Sequence, residues 1–423
     1  MMTKTFAARW QSARQGILAP LSIPDFRRMW IANALWWAGR FMEFIIVGWL
    51  VLDITDSPLQ VAAMGFYRSI PFLLVGFFSG PILDRLGRRT TILLGQTATL
   101  IGATIIALLL WFDLLTLWHL GVLSFLMGSA WSLDWPARRS FVPDLVGKER
   151  TVDALLLENF AQNVARISGP FAGGVLIASF GAKGAFTALA VLSLIPLVII
   201  SGVSRPVVRQ KTKAIQQSAW ANIVEGLRYV RKSPPILGSL LITVIMNLLI
   251  FPYVTLLPVF ARDVLGQGPT GLGILGSAAG IGAFVGLVII GQIRNKFSLG
   301  WIFVVGSTLQ AAALVTFSLS AIYELSFALL LLTGIGQACF GIMQSSIILL
   351  ASSDEMRSRA MGTLVLAIGA GPFGQLEIGM LAEAVGAPLA VRLHASLAVV
   401  LVIVVSIFLP DLRNKTHSKP EQT

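Results

Sequence analysis

Long apolar runs follow one another along almost the whole chain, and short polar links separate them. A helix that crosses a bilayer needs about 20 consecutive apolar residues. Twelve runs meet that length: 29–52, 59–83, 91–112, 116–136, 154–179, 184–202, 236–261, 270–292, 301–322, 325–350, 360–384 and 388–410. Within hydrocarbon every backbone amide and carbonyl needs a partner inside the protein, so only helices and closed barrels span. None of these runs alternates apolar and polar residues as barrel strands do. The sequence therefore predicts an all-α integral membrane protein with twelve transmembrane helices. Short links favour antiparallel hairpins. Only 12% of residues are charged, against roughly 25% in a soluble domain.

The net charge is +12, which raises the question of nucleic acid. Its placement answers otherwise. With the N-terminus in the cytoplasm, nearly every Lys and Arg falls in a cytoplasmic link or terminus. The exceptions are Lys183, Arg262 and Arg392 outside, and Arg40, Arg68 and Arg166 within spans. That is the positive-inside bias. It predicts a multi-pass plasma-membrane protein with both termini cytoplasmic, and leaves no basic soluble domain for nucleic acid. The first 28 residues lack a continuous apolar core and read as a cytoplasmic, weakly amphipathic leader, not a signal peptide.

Several chemistries find no residues to carry them. Cys339 is the one cysteine, and His119, His394 and His417 are far apart, so no metal site is expected. There is no GxxxxGK[ST] stretch to cradle ATP phosphates. No cofactor and no catalytic residue is expected, and the chain does not read as an enzyme.

The longest link, 203–235, is basic and then amphipathic, with Trp220, Ile223, Leu227, Tyr229 and Val230 on one face. That face is predicted to lie on the membrane surface. The link divides the chain into a bundle over 29–202 and a bundle over 236–410, with a cytoplasmic tail at 411–423. A weak internal repeat supports the division. Pro58, Gly65, Gly80 and Asp84 align with Pro269, Gly276, Gly291 and Asn295, and "GPFAGG" (169–174) aligns with "GPFGQL" (371–376). Such repeats are a mark of transporters built from two pseudo-symmetric halves.

Two motifs carry more than topology. "GPILDRLGRRT" (80–90) joins the second and third spans. Gly80 permits close helix approach, Gly87 allows a tight turn, and Asp84 suits the positive end of a neighbouring helix. Arg85, Arg88 and Arg89 can hold carboxylates or lipid phosphates. "ARISGPFAGGVL" (165–176) strips side chains from the fifth span at Gly169, Gly173 and Gly174, and Pro170 removes a backbone donor. Close packing alone would also explain this second motif.

On these residues the chain resembles the major facilitator superfamily, whose signature in the link reads G-x-x-x-D-[RK]-x-G-[RK]-[RK]. Gly80, Asp84, Arg85, Gly87, Arg88 and Arg89 all match it. The resemblance implies that this link latches two six-helix halves in the outward-facing state. The second-half counterpart, "GQIRNKFSLG", lacks the acid. The stretch around Arg166 is similar to the superfamily's antiporter motif, with Ala165 in place of its first glycine. "FRRMWIANALWWAGRFME", "PARRSFVPDLV" and "EGLRYVRKSPP" resemble the branch that contains enterobactin and macrolide exporters. The resemblance implies two pseudo-symmetric bundles, a mid-membrane cavity between them, and transport by rocking.

Ionisable residues inside spans cost at least a few kcal/mol each unless paired or wet. Arg40 and Glu43 in span 1, Arg68 in span 2, Arg166 in span 5 and Glu377 in span 11 are such residues. Glu43 and Arg68 lie equally far from the turn near Thr55–Asp56, so a Glu43–Arg68 pair is predicted. Arg40, one turn deeper, is expected to face the cavity or bridge to Glu43. Three roles stay open for this group: fixing helix register, exchanging a proton at Glu43, or contacting an anionic cargo through Arg40. Glu377 reads as a second protonation site or a partner for Arg392. Trp37, Asn247, Gln337 and Gln344 are candidates for the cavity wall, with plain packing or interhelical hydrogen bonding as the alternative. Arg166 is expected to pair internally.

Together the residues and the resemblance imply a monomeric, lipid-embedded secondary transporter of a bacterial plasma membrane that exports a small amphipathic molecule, such as a drug or siderophore-like metabolite, in exchange for protons. Solute uptake by symport, lysophospholipid flipping and a non-transporting scaffold are the alternatives.

Overall fold

The computed structural model describes residues 16–76, 79–204, 219–353 and 355–413. Helix fills most of these residues, and no strand occurs among them. The helices are α1 (Pro24–Thr55), α2 (Pro58–Leu74), α3 (Ser79–Leu86), α4 (Arg88–Trp111), α5 (Leu117–Val146), α6 (Thr151–Ser201) and α7 (Ala219–Arg231). They continue with α8 (Pro234–Val264), then α9 (Pro269–Ile293), α10 (Leu299–Phe317), α11 (Tyr323–Ala351), α12 (Arg357–Ile368), α13 (Gly371–Val385) and α14 (Ala387–Phe408). Among the described residues, nine helices are long and apolar enough to cross a membrane, taking α12 and α13 as one stretch. α6 holds two of the expected spans, because Gly181 at φ 65 breaks the helix between them.

Two helix boundaries and the packing of α7 differ from the sequence reading. α1 begins at Pro24, inside the expected leader, because proline suits the first turn of a helix and Phe26 is buried against α5 and α6. α5 runs ten residues past its expected end at 136. Thr116 starts it with a reciprocal cap to His119, and Gly147 at φ 76 ends it. Pro136 and Pro143 sit inside it, so "WPARR" (135–139), where the expected span ends, lies within the helix. The third difference concerns α7. Val230 packs into a core with Ile236, Leu240, Ile348, Ala360 and Leu364, and Glu225 pairs with Arg359 at 2.9 Å. That part of the amphipathic face meets protein, while Val224 and Leu227 stay exposed.

α8 is irregular where the sequence shows one smooth run. It passes through π turns at Met246–Ile250 and Phe260–Val264 and a 3-10 turn at Phe251–Leu256. Pro252 and Pro258 remove backbone donors there, and the ladder shifts register to recover partners.

Contacts divide the chain into two compact units. One holds the chain up to Leu50 and from Tyr67 through α6; the other holds residues 51–66 and everything from α7 onward. The first unit is packed around Met29, Ile92, Ala137, Phe141 and Ile200. In the second, α9 and α11 touch backbone to backbone: a Cβ on Gly334 would collide with the Ala279 carbonyl. Lipid tails are as apolar as leucine, so such close approach, not removal from water, holds these helices together.

The tip of the α1–α2 hairpin thus belongs to the second unit, and charge explains its fixing. Arg262 donates to the Leu52 carbonyl at 3.1 Å and pairs with Asp56, at the end of α1. Glu383 accepts from the Ser57 hydroxyl at 2.8 Å and the Leu59 amide at 3.2 Å, at the start of α2. A cation sits on the negative end of one helix and an anion on the positive end of the next, each worth about 0.3–1 kcal/mol. The double variant Arg262→Gln/Glu383→Gln is expected to raise amide exchange over residues 52–60 by up to about tenfold, read by mass spectrometry. Unchanged exchange would show that the tip is held by packing alone.

Candidate functional site

Within the first unit, three charged side chains meet at mid-helix. Arg40 and Glu43 lie one turn apart on α1, and the Arg40 Nη1 to Glu43 Oε2 distance is 3.5 Å. Arg68 of α2 places its Nη2 at 3.5 Å from the same oxygen and donates to the Arg40 carbonyl at 3.0 Å. The backbone at Arg68 is set by α5, where a Cβ on Gly128 would collide with the Arg68 carbonyl. Glu43 is 3% exposed. Arg40 stacks on Trp131 at 4.7 Å and Arg68 on Phe44 at 5.5 Å. Aromatic faces stabilise both cations where water is scarce.

At 3.5 Å the two contacts to Glu43 are loose for charge-assisted hydrogen bonds, which run near 2.7–2.9 Å. A narrow cavity opens beside them, lined by Gly39, Arg40, Glu43, Thr99, Met127 and Trp131 among others. The Trp131 Nε1 is buried there without an acceptor among the described residues. A buried orphan donor usually marks a place for water or a ligand.

The other expected residues take varied positions. Trp37 meets Trp36 edge-on at 4.8 Å and stacks on Phe41 at 5.8 Å. Arg166 reaches the Phe41 ring at 5.8 Å. Asn247 sits on the first π turn of α8 and donates to the Thr243 carbonyl at 2.9 Å. Gln344 donates to the Thr243 hydroxyl at 2.6 Å, tying α11 to α8. Gln337 is half-buried. Glu377 meets His394 at 2.7 Å, with its own side chain half exposed; Arg392 is not the partner found.

In the 80–90 link, Gly80 and Asp84 lie on the α3 backbone, and their side-chain surroundings fall outside the described residues. Arg85 is exposed. Gly87 takes φ 78 between α3 and α4, a conformation that a Cβ disfavours. Arg88 pairs with Asp144 at the end of α5. Arg89 donates to the carbonyls of Val203 at 2.8 Å and Ser201 at 2.6 Å, where α6 ends and its carbonyls lack helical partners.

Gly169 and Gly173 of α6 face α1. A Cβ on Gly169 would come within 2.7 Å of Phe41 Cβ and 2.8 Å of the Ala38 carbonyl, and one on Gly173 within 3.0 Å of the Met42 carbonyl. Gly174 and Pro170 are buried beside them. These glycines press α6 onto the α1 turn that carries Arg40 and Glu43. Gly169→Val is expected to destabilise the protein by about 1–3 kcal/mol, the usual cost of overpacking. The readout is the thermal midpoint in detergent; a wild-type midpoint would mean the two helices can separate freely.

A second buried polar group escaped the sequence reading. Asp134 falls in the last turn of the expected 116–136 span and Arg138 in the link after it, yet they are 1% and 4% exposed on α5. Arg138 donates to Asp134 at 2.9 Å, to Asn33 at 2.6 Å and to Gln96 at 3.1 Å. It also lies over the Trp36 ring at 4.5 Å. Asn33 donates to Glu158 at 2.8 Å, and Gln96 to the Ser193 carbonyl at 2.8 Å. The available signal was the i, i+4 spacing of Asp134 and Arg138, which puts both on one helix face.

The fold and the buried charges define a multi-span membrane transporter of the major facilitator type. Solved transporters share the fold. A bacterial homologue of the human lysosomal transporter Spinster superposes with a TM-score of 0.73 at 15% identity, covering 93% of this chain and 99% of that one. The nucleoside transporter NupG gives 0.71 at 14%, covering 90% and 98%. By sequence, residues 15–422 match the model of the transmembrane secretion effector family, and the chain belongs to that family. It is similar to the multidrug efflux pump Tap of Mycolicibacterium fortuitum, 26% identical over 398 residues, 90% of this chain and 95% of the relative. It is also similar to the enterobactin exporter EntS of Citrobacter koseri, 25% identical over 367 residues, 82% and 84% respectively.

Proposed function

We propose that this chain exports a small amphipathic molecule from a bacterial cytoplasm in exchange for protons, by alternating access. The observation that carries the proposal is Glu43, a buried carboxylate loosely held between two arginines beside a cavity. A carboxylate kept so far from water needs a reason, and it can act as a coupling acid if its arginine contacts open in one conformation. Opening of the Arg40 and Arg68 contacts in one conformation leaves the carboxylate to the cavity beside it, where it exchanges a proton. Each state of the carrier then favours a different occupancy of the acid, which is the requirement for exchange.

Local charge narrows the cargo. Arg40 lines the cavity beside Glu43 and suits a neutral or anionic molecule, with Trp131 adding apolar surface. The efflux pump and the siderophore exporter among the relatives support outward transport. The carrier works as a monomer among membrane lipids, with both termini in the cytoplasm and the Gly80–Arg89 link as the latch between states. Radiolabelled enterobactin and chloramphenicol, a catecholate and a neutral amphipathic compound, test this in inverted membrane vesicles. Acid-inside vesicles should accumulate at least one of them through the wild-type chain, and lose the accumulation when a protonophore collapses the gradient.

A further inference from the structure

The two buried groups of the first unit form one alternating series of charges. In order they are Arg68, Glu43, Arg40, Asp134, Arg138 and Glu158. Arg68 and Arg40 flank Glu43 at 3.5 Å each. Arg40 and Asp134 act on each other electrostatically, and Arg40 stacks on Trp131, one turn before Asp134. Asp134 meets Arg138 at 2.9 Å. Asn33 then connects Arg138 to Glu158, accepting from one and donating to the other.

Glu158 differs from the other two acids. Glu43 and Asp134 each touch a guanidinium, whereas Glu158 is held by the neutral amide of Asn33. Its Oε1 is buried without a hydrogen-bond partner among the described residues; Asp134 Oδ2 is too, but Asp134 keeps the Arg138 guanidinium on its other oxygen. A bare carboxylate oxygen in that setting is costly, and a protonated acid is less so. Beside it runs a cleft lined by Asn33, Arg138, Arg139, Asn159 and Gln162. Arg139 leans on the Trp135 ring at 5.8 Å. The charged groups that face Glu158 are therefore Arg138 and Arg139 from α5, with Asp134 behind Arg138. From α1 the cleft takes Asn33, Trp36 and Trp37, none of them charged.

We propose that Glu158 is a second proton-binding residue, coupled to Glu43 through Arg40, Asp134 and Arg138, so that a proton bound at Glu43 expels one from Glu158. This deepens the proton-coupled reading and rests on it. When the Glu43 carboxylate becomes a carboxylic acid, Arg40 loses its anion and turns its charge toward Asp134. Asp134 then balances Arg138 less fully, and Arg138 draws the Glu158 side to its ionised form. The Glu158 O–H bond breaks, and the proton leaves through the cleft as another is held at Glu43. The net charge of the series does not change. No proton needs to travel between the two acids, so no continuous water wire is required.

Infrared difference spectroscopy tests this on the full chain reconstituted in lipid, with no cargo present. At neutral pH the wild type should show the C=O stretch of a protonated carboxyl that shifts in heavy water. The band should vanish in Glu158→Gln. It should also vanish in Glu43→Gln, where a neutral side chain stands permanently for the protonated acid. Glu158→Gln alters one edge of the network and keeps its amide partner, so folding is expected; size-exclusion elution checks it. A band that survives in Glu158→Gln, or survives undiminished in Glu43→Gln, overturns the coupling. The readout involves no transport, so the spectra stand or fall apart from export. Correct bands with gradient-independent export would retain the coupled pair and sink the exchange reading instead.

Discussion

Arg138→Ala is expected to lower the stability of the protein more than any other single change considered above. The substitution leaves Asp134 as a buried anion without its partner, and deprives Asn33 and Gln96 of a donor. Breaking a buried ion pair from one side costs about 3–5 kcal/mol, and each orphaned acceptor adds about 1–3 kcal/mol. Against a total stability of roughly 5–15 kcal/mol, little folded protein should remain. Arg138→Lys keeps the charge but loses the fork that serves three acceptors at once, and should fall between. The thermal midpoint in detergent, on the order of 10 °C lower or more for Arg138→Ala, is the check. A fall of only a degree or two would mean that water reaches Asp134.

Glu43→Gln should abolish coupling while sparing the fold. Glutamine occupies the space of a protonated glutamate and leaves Arg40 and Arg68 their aromatic contacts. For one-for-one exchange with the membrane potential held at zero, each pH unit across the membrane sustains about a tenfold cargo gradient, since 1.4 kcal/mol is a factor of ten. The variant should lose that factor, and its cargo flux should no longer vary with pH. A wild-type pH profile would remove Glu43 from the coupling step. The pairing of Glu43 with two arginines would then serve helix register alone.

Much of this molecule is legible from apolar runs, because a bilayer punishes every unpaired backbone group and leaves helix as the solution. Helical segments accordingly fall on each of the twelve expected runs. The residues Arg40, Glu43 and Arg68 could be singled out for the same reason: charge in a long apolar run stands out. Asp134 and Arg138 could not, because they lie beside prolines and further arginines that imitate a membrane exit. Their mutual neutralisation, and the support of Asn33 and Gln96 from two other helices, are tertiary facts. The same holds for Glu377, whose partner His394 is set by how α13 meets α14. Hydropathy also cannot show that Arg262 and Glu383 hold the two helix ends at the α1–α2 turn, since nothing local to that turn names them.

The most direct test of proton exchange is simultaneous. Purified protein in liposomes carrying an internal pH dye is given radiolabelled enterobactin outside, and cargo entry and proton exit are followed together. Proton-coupled export predicts that protons leave only as cargo enters, and that the Glu43→Gln variant passes cargo without moving protons. Cargo entry with no change in internal pH in the wild type, or equal proton movement in the variant, would contradict it.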